Sequence, residues 1–110
     1  MNRIEILKKL INLDESIEVL QRKINSLSWD FEEDLVFLNK NHLKKILNFY
    51  ILGKINKNQL EKWANLIECR EDIGFENENL KDIIFELANP QLYGDINKKR
   101  VKDILKRLQL

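Results

Sequence analysis

The side chains best suited to chemistry in this sequence are its single histidine, His42, and its single cysteine, Cys69. A nucleophile or a proton-transfer residue needs a partner that activates or orients it. His42 falls in the first turn of a predicted helix, where the helix N-terminus disfavours the imidazolium form and no serine or cysteine is close in the sequence. Cys69 follows a predicted helix among acidic residues and is expected to be a packed, structural thiol. Neither residue predicts catalysis.

Metal and nucleotide sites are not predicted either. One cysteine and one histidine cannot supply the usual zinc ligands. The motifs GxxxxGK[ST], GxGxxG, HExxH and CxxC do not occur in the sequence. Asp30 with Asp34, and Glu68 with Asp72, would stack at i,i+4 on a helix, but no further ligand lies nearby. We therefore expect a protein that is not an enzyme and that holds no metal or cofactor.

Carboxylates are concentrated in two segments that also contain aromatic residues. The net charge is +1, yet residues 61–90 carry a net charge of −5. Carboxylates around an aromatic anchor suit a basic protein partner, because the charges steer the encounter and the anchor holds it. Alternatively, the aromatic residues belong to the core and the acids face water. The first candidate surface is Glu68, Glu71, Asp72, Phe75, Glu76 and Glu78, and the second is Trp29, Asp30, Phe31, Glu32, Glu33 and Asp34.

The last predicted helix is basic, and residues 95–110 carry a net charge of +4. Lys98, Lys99, Lys102 and Lys106 lie partly on one side of this helix, opposite an apolar side. Such a face could bind phosphates, which leaves a nucleic-acid-binding or regulatory module as an alternative function. No aromatic residue follows Tyr93, so a stacking platform for single strands is not predicted. A solvated charged face explains the same pattern.

Composition limits what kind of protein can carry these segments. With 110 residues, 44% hydrophobic and 34% charged, the chain is expected to form one globular domain over residues 1–110. No apolar run approaches the roughly 20 residues that span a bilayer. A lone cysteine argues against an internal disulfide and favours a reducing compartment. The sequence thus predicts a cytoplasmic protein.

Asparagine-led helix starts are the clearest structural signal. Asn39, Asn56 and Asn97 are each preceded by an apolar residue and followed four positions later by another, which is the spacing of an N-cap with a hydrophobic staple. Apolar residues then recur every three or four positions, and Gly53 and Asn89-Pro90 supply helix ends. A similar stripe covers residues 4–27, and Asp14-Glu15-Ser16 divides it. These patterns predict an all-α, compact bundle of five or six helices.

Residues 28–38 are ambiguous. The run Leu35-Val36-Phe37-Leu38 is short enough to be a buried strand or one helical turn, and periodicity does not decide between them. A lone strand would lack a partner in an otherwise helical chain. We therefore favour a helix or an ordered loop.

The stretch from Leu47 to Leu92 carries a family resemblance. A helix ending at Gly53-Lys54-Ile55, a second helix with Trp63-Ala64, then Glu71-Asp72-Ile73 and a helix ending Leu87-Ala88-Asn89-Pro90 resemble small helical bacterial immunity proteins. These include proteins similar to the colicin D immunity protein and those of contact-dependent growth inhibition systems.

The resemblance implies a helical bundle that neutralises a cognate toxin, often a tRNA-cleaving nuclease. It also implies that acidic side chains occupy the basic active site of the toxin in place of phosphates. The two acidic surfaces would carry that role here.

Overall fold

The computed structural model describes residues 2–27 and 33–109, and in these ranges it is mainly helical. Within these ranges, six helices of nine to twelve residues confirm the predicted helical bundle, and one further helix is a single turn. The helices are α1 (Arg3–Asn12), α2 (Ile17–Asn25), α3 (Lys40–Ile51), α4 (Lys57–Glu68), α5 (Glu78–Ala88), α6 (Pro90–Tyr93) and α7 (Lys98–Leu108), and the strands are β1 (Val36–Leu38) and β2 (Ile73–Phe75).

The three predicted asparagine caps are confirmed. The side chains of Asn39, Asn56 and Asn97 accept hydrogen bonds from the backbone N–H three residues later, at the start of α3, α4 and α7 respectively. Each bond satisfies a donor that the helix itself leaves unpaired. The sequence prediction missed two further asparagine caps: Asn2, which accepts from Glu5 N–H and starts α1, and Asn77, which accepts from Leu80 N–H and starts α5.

Helix ends also follow the sequence signals. Gly53 adopts φ 79°, and the N–H groups of Gly53 and Lys54 bond back to the carbonyls of Tyr50 and Phe49. This is the Schellman arrangement, in which a residue with positive φ closes a helix. Ala88 ends α5, and Pro90 begins α6, where its missing N–H is not needed.

One hydrophobic cluster joins the six longer helices and both strands. Trp63 on α4 is fully buried in it, and its indole Nε1 donates to the carbonyl of Leu10 on α1 at 2.8 Å. That carbonyl lies in the last turn of α1, so the tryptophan satisfies a helix end while it fills the core. None of the described helices is both long enough and apolar enough to cross a membrane.

The expectation that residues 28–38 would form a helix or an ordered loop is wrong for their last part. Val36–Leu38 is a strand, and its partner is Ile73–Phe75, in parallel. The segments between the two strands contain α3 and α4, which form the crossover that parallel pairing requires. The prediction failed because the partner strand is distant in the sequence. Trp29, Asp30, Phe31 and Glu32 lie outside the described residues.

Candidate partner-binding site

A buried ion cluster precedes β2. Asp72 is 1% exposed and Arg70 is 6% exposed. Arg70 donates two hydrogen bonds to the Asp72 carboxylate, from Nε at 3.0 Å and from Nη2 at 2.7 Å, and Arg3 on α1 donates a third at 2.6 Å. A fork of this kind fixes both the position and the plane of the carboxylate.

Charge balance in this cluster keeps Asp72 ionised. Burial by itself would raise the pKa of the Asp72 carboxyl, but the hydrogen bonds from Arg70 and Arg3, the positive charge of Arg70 and a backbone hydrogen bond together hold that pKa below its ordinary value. Asp72 is therefore an internal anion with its own cationic partners. The expectation that Asp72 belongs to a partner-binding surface is corrected: the buried Asp72 supports the connection between α4 and β2 from inside.

The parallel strands bring the two acidic segments together. Leu35 N–H donates to the carbonyl of Asp72, and the pairing continues with Phe37 opposite Gly74. Asp34, from the second candidate surface, therefore lies beside the connection that carries the first. Together they line an open groove of about 670 Å³, which we call the acidic groove; its lining residues are Asp34, Glu68, Arg70, Glu71, Ile73, Gly74, Phe75, Asn77, Glu78 and Lys81.

Charge in the acidic groove is predominantly negative. Four of its lining residues are acids and two are bases, and one of these bases, Arg70, is already bonded to buried Asp72. The remaining base is Lys81. Glu71 and Glu78 are exposed at the groove, so a cationic side chain entering it would meet carboxylates from several directions.

Other predicted site residues lie elsewhere. Glu76 is exposed, and its Oε2 accepts a hydrogen bond from the backbone N–H of Lys40 at 3.0 Å. Its carboxylate thereby lies at the N-terminus of α3, where the helix dipole favours negative charge. Glu33 is exposed but does not line the groove. Asp30 and Glu32 cannot be assigned to it, because they lie outside the described residues.

Sequence reasoning missed Phe37. Val36 and Leu38 point into the core, whereas Phe37 between them is 55% exposed. Its ring packs against the backbone of Gly74. A Cβ atom at position 74 would lie only 2.6 Å from Phe37 Cε1 and 2.8 Å from Asp34 Oδ2, so this position has no room for a side chain. The alternation of side chains along a strand would have revealed this outward aromatic residue, had residues 36–38 been recognised as a strand.

His42 acts as a capping residue, and Cys69 is not packed as expected. Asn39 N–H donates to His42 Nδ1 at 3.0 Å, which completes a capping box. Burial is the main cause that lowers the pKa of His42, and the positive charge of Lys45 lowers it further.

Cys69 is exposed because it caps the end of α4, beyond the last inward position, Ile67. Within residues 2–27 and 33–109, no group of three or more His, Cys, Asp or Glu side chains forms a metal-binding cluster.

The basic residues of helix α7 fall into two groups, arginines that form ion pairs within the protein and exposed lysines. Arg100 and Arg107 pair with Glu86 of α5, at 3.5 Å and 3.7 Å. The four lysines of α7 are exposed, and no ion pair is found for them in the part of the chain that the structure describes. These are Lys98, Lys99, Lys102 and Lys106.

Comparison with known proteins finds a weak similarity. No family model matches the chain, and no solved structure matches it. The chain is similar to a probable nicotinate-nucleotide adenylyltransferase of Aliarcobacter butzleri (strain RM4018), with 27% identity over 88 residues. The match covers 73% of this chain and 48% of that protein, so the chain spans about half the length of the curated relative.

Proposed function

We propose that this protein is an immunity protein that binds and neutralises a cognate bacterial toxin, an RNA-cleaving (tRNase) domain, in the bacterial cytoplasm. It is a binding protein rather than an enzyme. Its acidic groove covers the basic active site of the toxin, and the groove carboxylates occupy the positions that substrate phosphates would take. Each contact is then a charge-assisted hydrogen bond from a lysine or arginine of the toxin.

The observation that carries this proposal is the convergence of Asp34, Glu68, Glu71 and Glu78 on one groove. These acids come from two segments, and the pairing of β1 with β2 brings the segments together. A solvated acidic surface would not need such convergence. The aromatic rings of Phe37 and Phe75 at the same strands offer the apolar anchors that protein interfaces use.

Co-expression with the toxin domain encoded by the neighbouring gene tests the proposal. The structure selects the residues to change: Glu71 and Glu78, which are exposed, and not buried Asp72. The double variant Glu71→Lys/Glu78→Lys should keep its helix content, associate more slowly and lose protection of the cells. Loss of a desolvated charge pair typically costs about 2–5 kcal/mol of binding free energy.

A matched control reverses the charge of two acidic residues that lie outside the acidic groove. Asp95→Lys/Asp103→Lys makes the same change in net charge at exposed residues outside the acidic groove. This control should still protect cells and still capture the toxin in a pull-down. If both double variants protect as well as the parent chain, the groove does not bind the toxin and the proposal is wrong.

Lysines on α7 favour a second candidate, a nucleic-acid-binding module. Lys98, Lys99, Lys102 and Lys106 are exposed, and no internal acid pairs with them among the described residues. Binding of a tRNA or a DNA duplex that weakens steeply as salt rises, and that Lys98→Glu/Lys102→Glu abolishes, would favour this alternative. The immunity proposal expects no such binding.

A further inference from the structure

A smaller, apolar notch opens beside the acidic groove. It measures about 140 Å³, and its lining residues are Glu68, Phe75, Lys81, Asp82, Ile84 and Phe85. Enclosed apolar cavities of roughly 150 Å³ accommodate a benzene molecule, so the notch is the size of one large apolar side chain. The ring of Phe85 forms one wall and is 41% exposed.

The phenylalanine that lines the notch also contacts a second aromatic ring. The rings of Phe85 and Tyr93 meet edge to face, with centroids 5.7 Å apart and an interplanar angle of 76°. Tyr93 ends the single turn α6, which Pro90 starts. This contact restricts the Phe85 ring, which lowers the side-chain entropy that binding would cost.

The notch and the acidic groove are continuous. Glu68, Phe75 and Lys81 line both. Glu68 lies where they meet, and its Oε2 accepts from Nδ2 of Asn89 at 3.4 Å, while the same amide group donates to the carbonyl of Phe85 at 2.8 Å. The Asn89-Pro90 junction therefore links the position of a groove carboxylate to that of the notch wall.

We infer that the notch receives a leucine-sized apolar side chain adjacent in sequence to a basic residue that enters the acidic groove. The inference rests on the proposed function and adds the chemistry of the recognised segment: basic and apolar residues side by side, rather than a purely cationic surface. Two carboxylates, Glu68 and Asp82, and one base, Lys81, line the notch, so its net negative charge favours the basic flank. The apolar side chain supplies the buried anchor that a charged groove alone does not provide.

Two capped peptides that differ by one side chain test this inference on the full-length protein. Acetyl-Arg-Leu-Arg-amide and acetyl-Arg-Ala-Arg-amide are titrated into the 15N-labelled chain and followed by nuclear magnetic resonance. Both should shift the amide signals of Glu71 and Glu78. Only the leucine peptide should also shift Ile84 and Phe85, and it should bind about five- to tenfold more tightly.

Two alanine variants identify the source of the leucine preference. Phe85→Ala should abolish the preference, whereas Leu92→Ala, which removes a 69% exposed apolar side chain outside the notch, should retain it. Equal affinity of the two peptides for the parent chain, with shifts at Glu71 and Glu78, would overturn the notch and leave the acidic groove intact. The absence of saturable shifts with either peptide would contradict the groove and the notch together. The parent-chain comparison stands even if Phe85→Ala unfolds.

Discussion

Arg3 and Asp72 are joined by a hydrogen bond of 2.6 Å from Nη1 to Oδ2, although 69 positions separate them in the chain. Arg70 donates to the same Oδ2 from Nη2 at 2.7 Å and to Oδ1 from Nε at 3.0 Å. Since Asp72 directly precedes β2 and its carbonyl accepts from Leu35 N–H, the first helix is tied to the connection that forms the floor of the acidic groove. The shape of the groove therefore depends on the buried carboxylate of Asp72, which does not itself line the groove.

Removing this charge should destabilise the fold. Asp72→Asn keeps the size of the side chain but leaves the guanidinium groups of Arg70 and Arg3 without a buried anion. We expect a loss of about 3 kcal/mol in the free energy of unfolding, measured by urea denaturation, because breaking a buried ion pair strands the remaining charge. Glu71→Gln, one position earlier and exposed, is the matched control and should change stability by less than about 0.5 kcal/mol. A similar small effect at both positions would show that the ion cluster is dispensable.

Acid should weaken the fold through the same carboxyl. The pKa of Asp72 is lower in the folded chain than its ordinary value, so as the pH falls the unfolded chain binds this proton first. The contribution of Asp72 to stability should be complete above about pH 5 and should disappear as the pH falls through the lowered folded-state pKa. Urea midpoints from pH 7 to pH 2.5 should therefore converge for the parent chain and Asp72→Asn. A constant difference across this range would contradict the assignment.

The capping box at α4 gives a local prediction. Asn56 accepts from Gln59 N–H at 2.9 Å, and Gln59 Oε1 accepts from Asn56 N–H at 2.8 Å. Asn56→Ala removes the first bond and should cost about 1 kcal/mol of stability. Asn58→Ala, within the first turn but without a capping bond, should cost nothing because alanine is the better helix former. Thermal denaturation of both variants distinguishes a cap from a general effect of asparagine.

Catalysis is not expected from His42 or Cys69. His42 Nδ1 is occupied by the N–H of Asn39, and Cys69 lies at the exposed end of α4. His42→Ala/Cys69→Ala should protect cells like the parent chain, apart from a modest loss of stability at α3. Turnover that this double variant removes without unfolding would show that the protein is an enzyme.

Signals that are local in the sequence predicted structure well. Asn39, Asn56 and Asn97 start helices because each cap is a contact between residues three positions apart. Gly53 ends α3 for an equally local reason. The pairing of Val36 with Ile73 is different in kind. It depends on a crossover through α3 and α4, so the residues near position 36 do not indicate which segment Val36 pairs with.

The candidate site was predicted in part for the same reason. Counting charges identified both acidic segments, and the structure brings Asp34 and Glu71 to one groove. The sequence alone did not distinguish Glu71, which is exposed, from Asp72, which is buried. That difference follows from the two arginines that reach Asp72, and one of them is on α1. Burial of a charge is a property of the assembled chain.

The parallel pairing of β1 with β2 also has a consequence for synthesis on the ribosome. A hairpin could form as soon as its second strand emerges, but these strands pair only after the two intervening helices have left the exit tunnel. A nascent chain that has reached Glu68 carries a complete α4 but lacks Glu71, Glu78 and the strand that positions Asp34. If the acidic groove is the toxin-binding surface, a nascent chain of this length cannot capture the toxin, and capture has to wait until β2 and the start of α5 have been made.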